Sequence, residues 1–200
     1  MFEALGLPLD EETRKLYSGI NKQLWLEHEK GSITKEYLVS NRFRILFERL
    51  GADADGVKAE SVYRDALGRG THLVDGALEV CRALAEKYAL HIVTNGIYDT
   101  QMRRLEASGL AALARNVFVS EKVGYSKPSR AFFEYAFSCL PGERPEESLI
   151  IGDSLSSDMQ GGVNAGIDTC WFNPGRRGNP DGVPVTYEIA SLRELTSMLM

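Results

Sequence analysis

Apolar residues recur at intervals of three and four through the first seventy positions, and in short unbroken runs after that. The first pattern predicts amphipathic helices and the second predicts buried strands. Asp10 can cap a helix that begins at Glu11, carries Leu16, Ile20, Leu24 and Trp25 on one side, and ends at Gly31. Thr34 opens a second helix with Leu38, Phe43, Leu46, Phe47 and Leu50, closed by Gly51. A third runs roughly from Val57 to Leu67, ahead of Gly68 and Gly70. No strand is expected here, so residues 1–72 read as a small helical domain.

From residue 75 the pattern changes. A helix is expected over 76–87, through Leu78, Val80, Cys81 and Leu84. The run 89–94 reads as a buried strand, followed by the turn pair Asn95-Gly96. Residues 99–108 form a helix stopped by Gly109, and 116–120 a second strand. A helix over 129–140 follows Lys127-Pro128, and Pro128 helps define its start. Then come a strand at 148–152, a helix at 157–165 ended by Gly166, and a strand at 168–172. Residues 173–184 are rich in Gly and Pro and form a loop; 185–189 is a short last strand and 192–200 a final helix. Strands alternating with helices predict an α/β domain over 73–200, with a parallel sheet built from βαβ units.

Composition narrows the partners. The chain has 200 residues, 44% hydrophobic and 26% charged, which is ordinary for a globular protein with ample core. A net charge of -5 argues against nucleic-acid polymers, which need a basic footprint, while a nucleotide monomer needs only a local site. Cys81, Cys139 and Cys170 are odd in number and widely spaced, so a reducing cytoplasm is expected, with Cys81 and Cys170 as core residues. No apolar run approaches the ~18 residues that span a bilayer, and residues 1–6 lack a signal-peptide pattern, so no membrane association is expected. His28, His72 and His91 have no metal-ligand spacing and read as structural or solvated.

Three polar features fall at successive predicted strand ends: Thr94 with Asn95 and Gly96; Lys127 within Gly124-Tyr125-Ser126-Lys127-Pro128; and Asp153 with Asp158, after Leu149-Ile150-Ile151-Gly152. In a parallel sheet these loops open at one edge, where ligands bind. A hydroxyl, backbone N–H groups, an ammonium and two carboxylates suit a phosphoryl group with Mg²⁺. Singly, each has a plainer reading: Thr94 an ordinary strand residue, Asn95-Gly96 a common turn, Lys127 a solvated lysine, and Asp158 a helix cap. Their shared order and position favour the phosphate site.

Val93-Thr94-Asn95-Gly96, Lys127-Pro128 and Gly152-Asp153 with Asp158 resemble the second, third and fourth motifs of the haloacid-dehalogenase-like hydrolases. The resemblance implies that Thr94, Asn95, Gly96 and Lys127 bind phosphate, that Lys127 also serves catalysis by stabilising the nucleophile, and that Asp153 and Asp158 hold Mg²⁺. Asn21-Lys22-Gln23-Leu24-Trp25, Gly31-Ser32-Ile33-Thr34, Ser120-Glu121-Lys122-Val123-Gly124, Gly161-Gly162-Val163-Asn164-Ala165-Gly166 and Thr169-Cys170-Trp171-Phe172-Asn173 further resemble the bacterial pyrimidine 5′-nucleotidase branch that acts on noncanonical nucleotides. This implies a three-layer Rossmann-like core at 73–200, an N-terminal helical cap at 1–72 that helps select substrate, and a small phosphate ester, a nucleotide, as ligand. It makes Asn21 and Trp25 candidate substrate contacts, against a core role for Trp25.

One motif of the resemblance is missing. The family's first motif is an apolar strand ending in Asp-x-Asp, whose first Asp attacks phosphorus and whose second is the general acid and base. The one Asp-x-Asp here, Asp53-Ala54-Asp55, follows a helix end and reads as a solvated loop. We therefore expect that Met1 is internal to a longer natural chain, that the sheet lacks its central first strand, and that these residues alone are inactive. Rival readings are a sugar-phosphate or phosphoglycolate phosphatase, a haloacid dehalogenase, disfavoured by the paired acids, and a non-catalytic protein that binds phosphate or Mg²⁺.

Overall fold

The computed structural model describes residues 10–200; the reading of residues 1–6 lies outside them. The chain divides into two compact units, at Arg69 and Gly70.

The first unit consists of α1 (Glu11–Glu29), α2 (Lys35–Leu50) and α3 (Gly56–Arg69). Asp10 caps α1, its carboxylate accepting from the Thr13 N–H at 2.8 Å, and Thr34 caps α2 by accepting from Tyr37 N–H at 3.1 Å. Gly51 ends α2 in the left-handed conformation at φ 63°, which a residue with a Cβ reaches only at a cost. The apolar stripes meet in a core of Ile20, Leu24, Leu38, Phe43, Leu46, Phe47 and Ala59. Each of the buried Leu, Ile and Phe side chains there contributes about 1.5–3 kcal/mol. Beside this core lies a buried ion pair: Arg42 Nε and Nη2 each donate at 2.7 Å to Glu60, and Nη1 donates to Asn21 Oδ1 at 3.2 Å. Burial works against the charge on Arg42, but the Glu60 carboxylate outweighs it and holds the guanidinium above its usual range.

The second unit runs α4 (Ala77–Ala85), β1 (His91–Thr94), α5 (Tyr98–Ser108), β2 (Asn116–Val119), α6 (Ser120–Val123), α7 (Arg130–Ser138), β3 (Leu149–Gly152), α8 (Gln160–Ala165), β4 (Asp168–Phe172), β5 (Tyr187–Ile189) and α9 (Glu194–Leu199). β1 pairs with β2, β3 with β4 and β4 with β5, all in parallel. Helices cover both faces. Phe132, Phe133 and Ala136 of α7 pack with Phe118, Ile150 and Trp171 on one side; Val80 and Leu84 of α4 and Leu195 of α9 pack with Cys170 and Ile189 on the other. This is the three-layer, doubly wound arrangement that alternating strands and helices predict. Core contacts join Val93 of β1 and Ile150 of β3 to one cluster, yet β1 and β3 share no backbone hydrogen bonds, and Ile151 at the free edge of β3 is exposed.

Several elements are shorter than the hydrophobic pattern predicts, while α3 and α5 extend beyond it and β4 matches it. The β1 run starts at His91 rather than 89, and α7 ends at Ser138. Two features escaped the pattern. Ser120 opens the short helix α6 instead of ending β2. The helix expected from 157 begins with a wide π turn at Leu155–Met159 before α8. Cys170 is fully buried as expected, whereas Cys81 is only half-buried. His28 Nδ1 lies 3.2 Å from the Ile33 carbonyl, and His91 Nε2 lies 2.9 Å from Glu143, so both are structural. No helix among the described residues is long and apolar enough to cross a membrane.

Candidate active site

The loops after β1, β2 and β3 are stitched together by buried polar side chains. Lys127 follows α6 and is only 6% exposed. Its Nζ donates to the Val93 carbonyl at 3.0 Å and to Asp158 Oδ1 at 2.6 Å. An ammonium has three N–H groups, so one remains for a ligand. This is not the solvated loop lysine of the plainer reading. Asp158, 8% exposed, also accepts from the Ser154 N–H through Oδ2 at 3.1 Å. Gly152 makes room for it: a Cβ at that position would stand 2.6 Å from Asp158 Cβ and nearer still to its carboxylate.

Asn95 locks the first two loops to each other. Its Oδ1 accepts from the Lys127 N–H at 2.9 Å, and its Nδ2 donates to the Lys127 carbonyl at 2.8 Å and weakly to Ser157 Oγ at 3.4 Å. Thr94 ends β1, and its Oγ1 accepts from the Gly96 N–H at 3.0 Å. The Thr94 hydroxyl proton is thus left to donate, whereas the Gly96 N–H is already engaged.

Asp153 behaves differently from Asp158. It is exposed, and its carboxylate accepts no hydrogen bond among the described residues. Its backbone carbonyl is held from two sides, by Trp171 Nε1 at 3.2 Å and Arg177 Nη2 at 3.1 Å. The donor set is therefore one outward carboxylate, with a second, already paired, just behind it. No group of three or more His, Cys, Asp or Glu forms a metal cage among the described residues. Oxygen donors of this kind fit Mg²⁺, which takes one or two carboxylates and completes its shell with water and phosphate oxygens. A cation at Asp153, an ammonium at Lys127 and a hydroxyl at Thr94 can together neutralise and orient a phosphoryl group.

Thus Thr94, Asn95, Gly96, Lys127, Asp153 and Asp158 all come to one edge of the second unit. Asn21 and Trp25 belong to the helical unit. Asn21 is half-buried and bonded to Arg42. Trp25 packs against the helical core, with its ring 5.8 Å from that of His28 and edge-on to it, which favours its core reading. Asp53-Ala54-Asp55 lies in the turn before α3, where Asp55 Oδ1 accepts from the Val57 and Lys58 N–H groups as a helix cap. The sequence reading missed the Asn95 side chain as a clamp, Ser157, and the grip on Asp153 by Trp171 and Arg177. Arg177 falls in the Gly- and Pro-rich stretch 173–184, expected only as a loop, although Asn173-Pro174-Gly175 directly after a strand is a signal of an ordered turn.

Residues 2–166 match the family model described as haloacid dehalogenase-like hydrolase. The chain is 41% identical to the HAD-hydrolase YfnB of Bacillus subtilis over 199 residues, which cover all of this chain and 85% of that protein. It is 39% identical to the pyrimidine 5′-nucleotidase PynA of Streptococcus pneumoniae, covering 92% and 78%, and 32% identical to the pyrimidine 5′-nucleotidase YjjG of Escherichia coli, covering 100% and 88%. The crystal structure of YfnB bound to magnesium superposes with a TM-score of 0.93, covering 99% of this chain and 87% of that one. On the strength of the family match over most of its length and of these relatives, the chain belongs to the haloacid dehalogenase-like hydrolases.

Proposed function

We propose that the protein is a Mg²⁺-dependent phosphomonoesterase of the cytoplasm whose substrate is a pyrimidine nucleoside 5′-monophosphate. The observation that carries this reading is the convergence of Thr94, Lys127 and Asp153 at the ends of three parallel strands, with Lys127 fixed by Asp158. The nucleotide substrate rests on similarity to PynA and YjjG, both pyrimidine 5′-nucleotidases. In this reading residues 73–200 are the catalytic core and residues 1–72 the substrate-selecting cap, with Asn21 as a substrate contact and Trp25 as part of the helical core.

The Thr94 hydroxyl and the Lys127 ammonium hold phosphate oxygens. The Asn95 clamp keeps Lys127 in place. Asp153 would hold Mg²⁺, and Asp158, which accepts from Lys127 and the Ser154 N–H, would support the site by orienting the lysine. When bound, Mg²⁺ supplies charge neutralisation and a fixed orientation of the phosphate.

The same 200 residues offer no apolar strand ending in Asp-x-Asp, and Asp55 is a helix cap. The attacking Asp of that motif is not among these residues, so we assign to them phosphate and Mg²⁺ binding without turnover. The test is phosphate release from a panel of pyrimidine and purine nucleoside monophosphates, sugar phosphates and phosphoglycolate, with Mg²⁺ or with chelator. It is run on the 200 residues and on the chain extended by any in-frame codons ahead of Met1. Mg²⁺-dependent release from pyrimidine nucleotides by the extended chain alone supports the reading. Preference for sugar phosphates moves the substrate class. A stop codon directly upstream favours the second reading, a non-catalytic phosphate-binding protein, for which the absent motif is the supporting observation.

A further inference from the structure

We propose that Arg177, held in place by Asn173, is a positioning residue that sets the Asp153 carboxylate for Mg²⁺. The proposal rests on the reading of Asp153 as the metal ligand and goes beyond it, to a loop outside the three strand-end motifs.

Asn173 directly follows β4 and is completely buried. Every polar atom of its side chain is used. Oδ1 accepts from the Arg177 N–H at 2.9 Å; Nδ2 donates to the Arg177 carbonyl at 2.9 Å and to Glu188 Oε1 at 2.7 Å. The five residues from Asn173 to Arg177 are thereby closed into a ring that is anchored to β5 through Glu188. The ring delivers the Arg177 guanidinium to the Asp153 carbonyl at 3.1 Å, 5.9 Å from the Trp171 ring centre. Trp171, itself buried, donates to the same carbonyl at 3.2 Å. Two donors from different parts of the chain thus fix one peptide group, and the side chain that this peptide carries points to solvent with no other restraint among the described residues. Partners that orient a ligand in this way typically govern metal affinity by a factor of about 10–100.

Charge alone predicts the opposite sign. A guanidinium beside a cation site repels the cation, so its removal would tighten Mg²⁺ binding if Arg177 were only a neighbouring charge. The two roles are therefore separable by direction.

The experiment is isothermal titration of Mg²⁺ into the 200-residue protein and its Arg177→Ala, Arg177→Lys, Arg176→Ala and Asp153→Asn variants, each checked for native circular dichroism. Arg176 is the exposed neighbour with no contact to Asp153, so its variant controls for net charge. We expect Asp153→Asn to abolish binding, Arg177→Ala to weaken it about tenfold or more, Arg177→Lys to restore part of the loss, and Arg176→Ala to leave it unchanged or slightly tighter. Unchanged or tighter binding in Arg177→Ala, with Asp153→Asn still inactive in binding, overturns the positioning role and leaves the metal site standing. Unchanged binding in Asp153→Asn overturns the metal assignment itself and the proposal with it. A single-tryptophan variant, Trp25→Phe, gives a second readout: Trp171 emission should change on Mg²⁺ addition and saturate with the calorimetric Kd.

Discussion

Lys127 Nζ lies 2.6 Å from Asp158 Oδ1, and both side chains are almost wholly out of water. This pair joins the loop after β2 to the loop after β3, so it fixes the geometry of the site and also contributes to the stability of the domain. Removing one partner leaves a buried, uncompensated charge, which costs about 3–5 kcal/mol. Asp158→Asn should therefore lower the unfolding free energy measured in denaturant by about 3 kcal/mol. A loss below about 1 kcal/mol would mean that the pair is more hydrated than its burial indicates.

The Arg42–Glu60 pair in the helical unit makes a parallel case. Glu60→Ala should destabilise the protein by about 3–5 kcal/mol, whereas the double change Arg42→Met with Glu60→Leu should recover most of that loss. The same double change removes the donor that Arg42 gives to Asn21.

Gly162 shows how closely α8 packs on the sheet. A Cβ there would stand 2.6 Å from Ile150 Cγ2 and equally close to Thr169 Cγ2, on β3 and β4. Gly162→Ala should cost about 1–3 kcal/mol by overpacking. The melting temperature should fall by about 2–4 °C for each kcal/mol. An unchanged Tm would show that the strands yield freely.

The cysteines predict a pH dependence. Burial pushes the Cys170 thiol up to about 11 from an ordinary 9.0, and Glu194 adds to the shift. The folded form therefore keeps a proton that the unfolded chain releases, so this contribution to stability is complete below about pH 9 and is lost as pH rises toward 11. Cys170→Ala should flatten the fall in stability across that window. In a thiol-reagent assay on native protein, exposed Cys139 should react first and Cys170 only on unfolding.

Much of the fold was legible because its signals are local. Asp10 and Thr34 cap the helices they were expected to cap, and Gly51 and Gly109 end theirs. The runs ending at Thr94 and Gly152 are parallel strands whose loops meet. The role of each site side chain was less legible, because it depends on contacts between residues far apart in sequence. Asn95 and Lys127 are 32 positions apart, yet Asn95 spends its amide on the Lys127 peptide. Arg177 reaches Asp153 across 24 positions, through a ring closed by Asn173. Asp153 and Asp158 are both expected at the metal from the sequence; in three dimensions Asp153 is exposed, whereas Asp158 is engaged by Lys127 and Ser154. The π turn at Leu155–Met159, which carries Asp158, has no periodicity that a helical pattern would reveal.

The central claim is that Thr94, Lys127 and Asp153 form one phosphate and Mg²⁺ site. Its most direct test is calorimetric titration of inorganic phosphate, in saturating Mg²⁺, into the 200-residue protein and into Thr94→Val, a change that removes the hydroxyl while keeping the side chain's shape. The account predicts a single site in the unaltered protein that requires Mg²⁺ and is weakened about tenfold in Thr94→Val, in line with the loss of a hydrogen bond to a charged group. Phosphate binding of equal strength in both proteins, or binding indifferent to Mg²⁺, would contradict it.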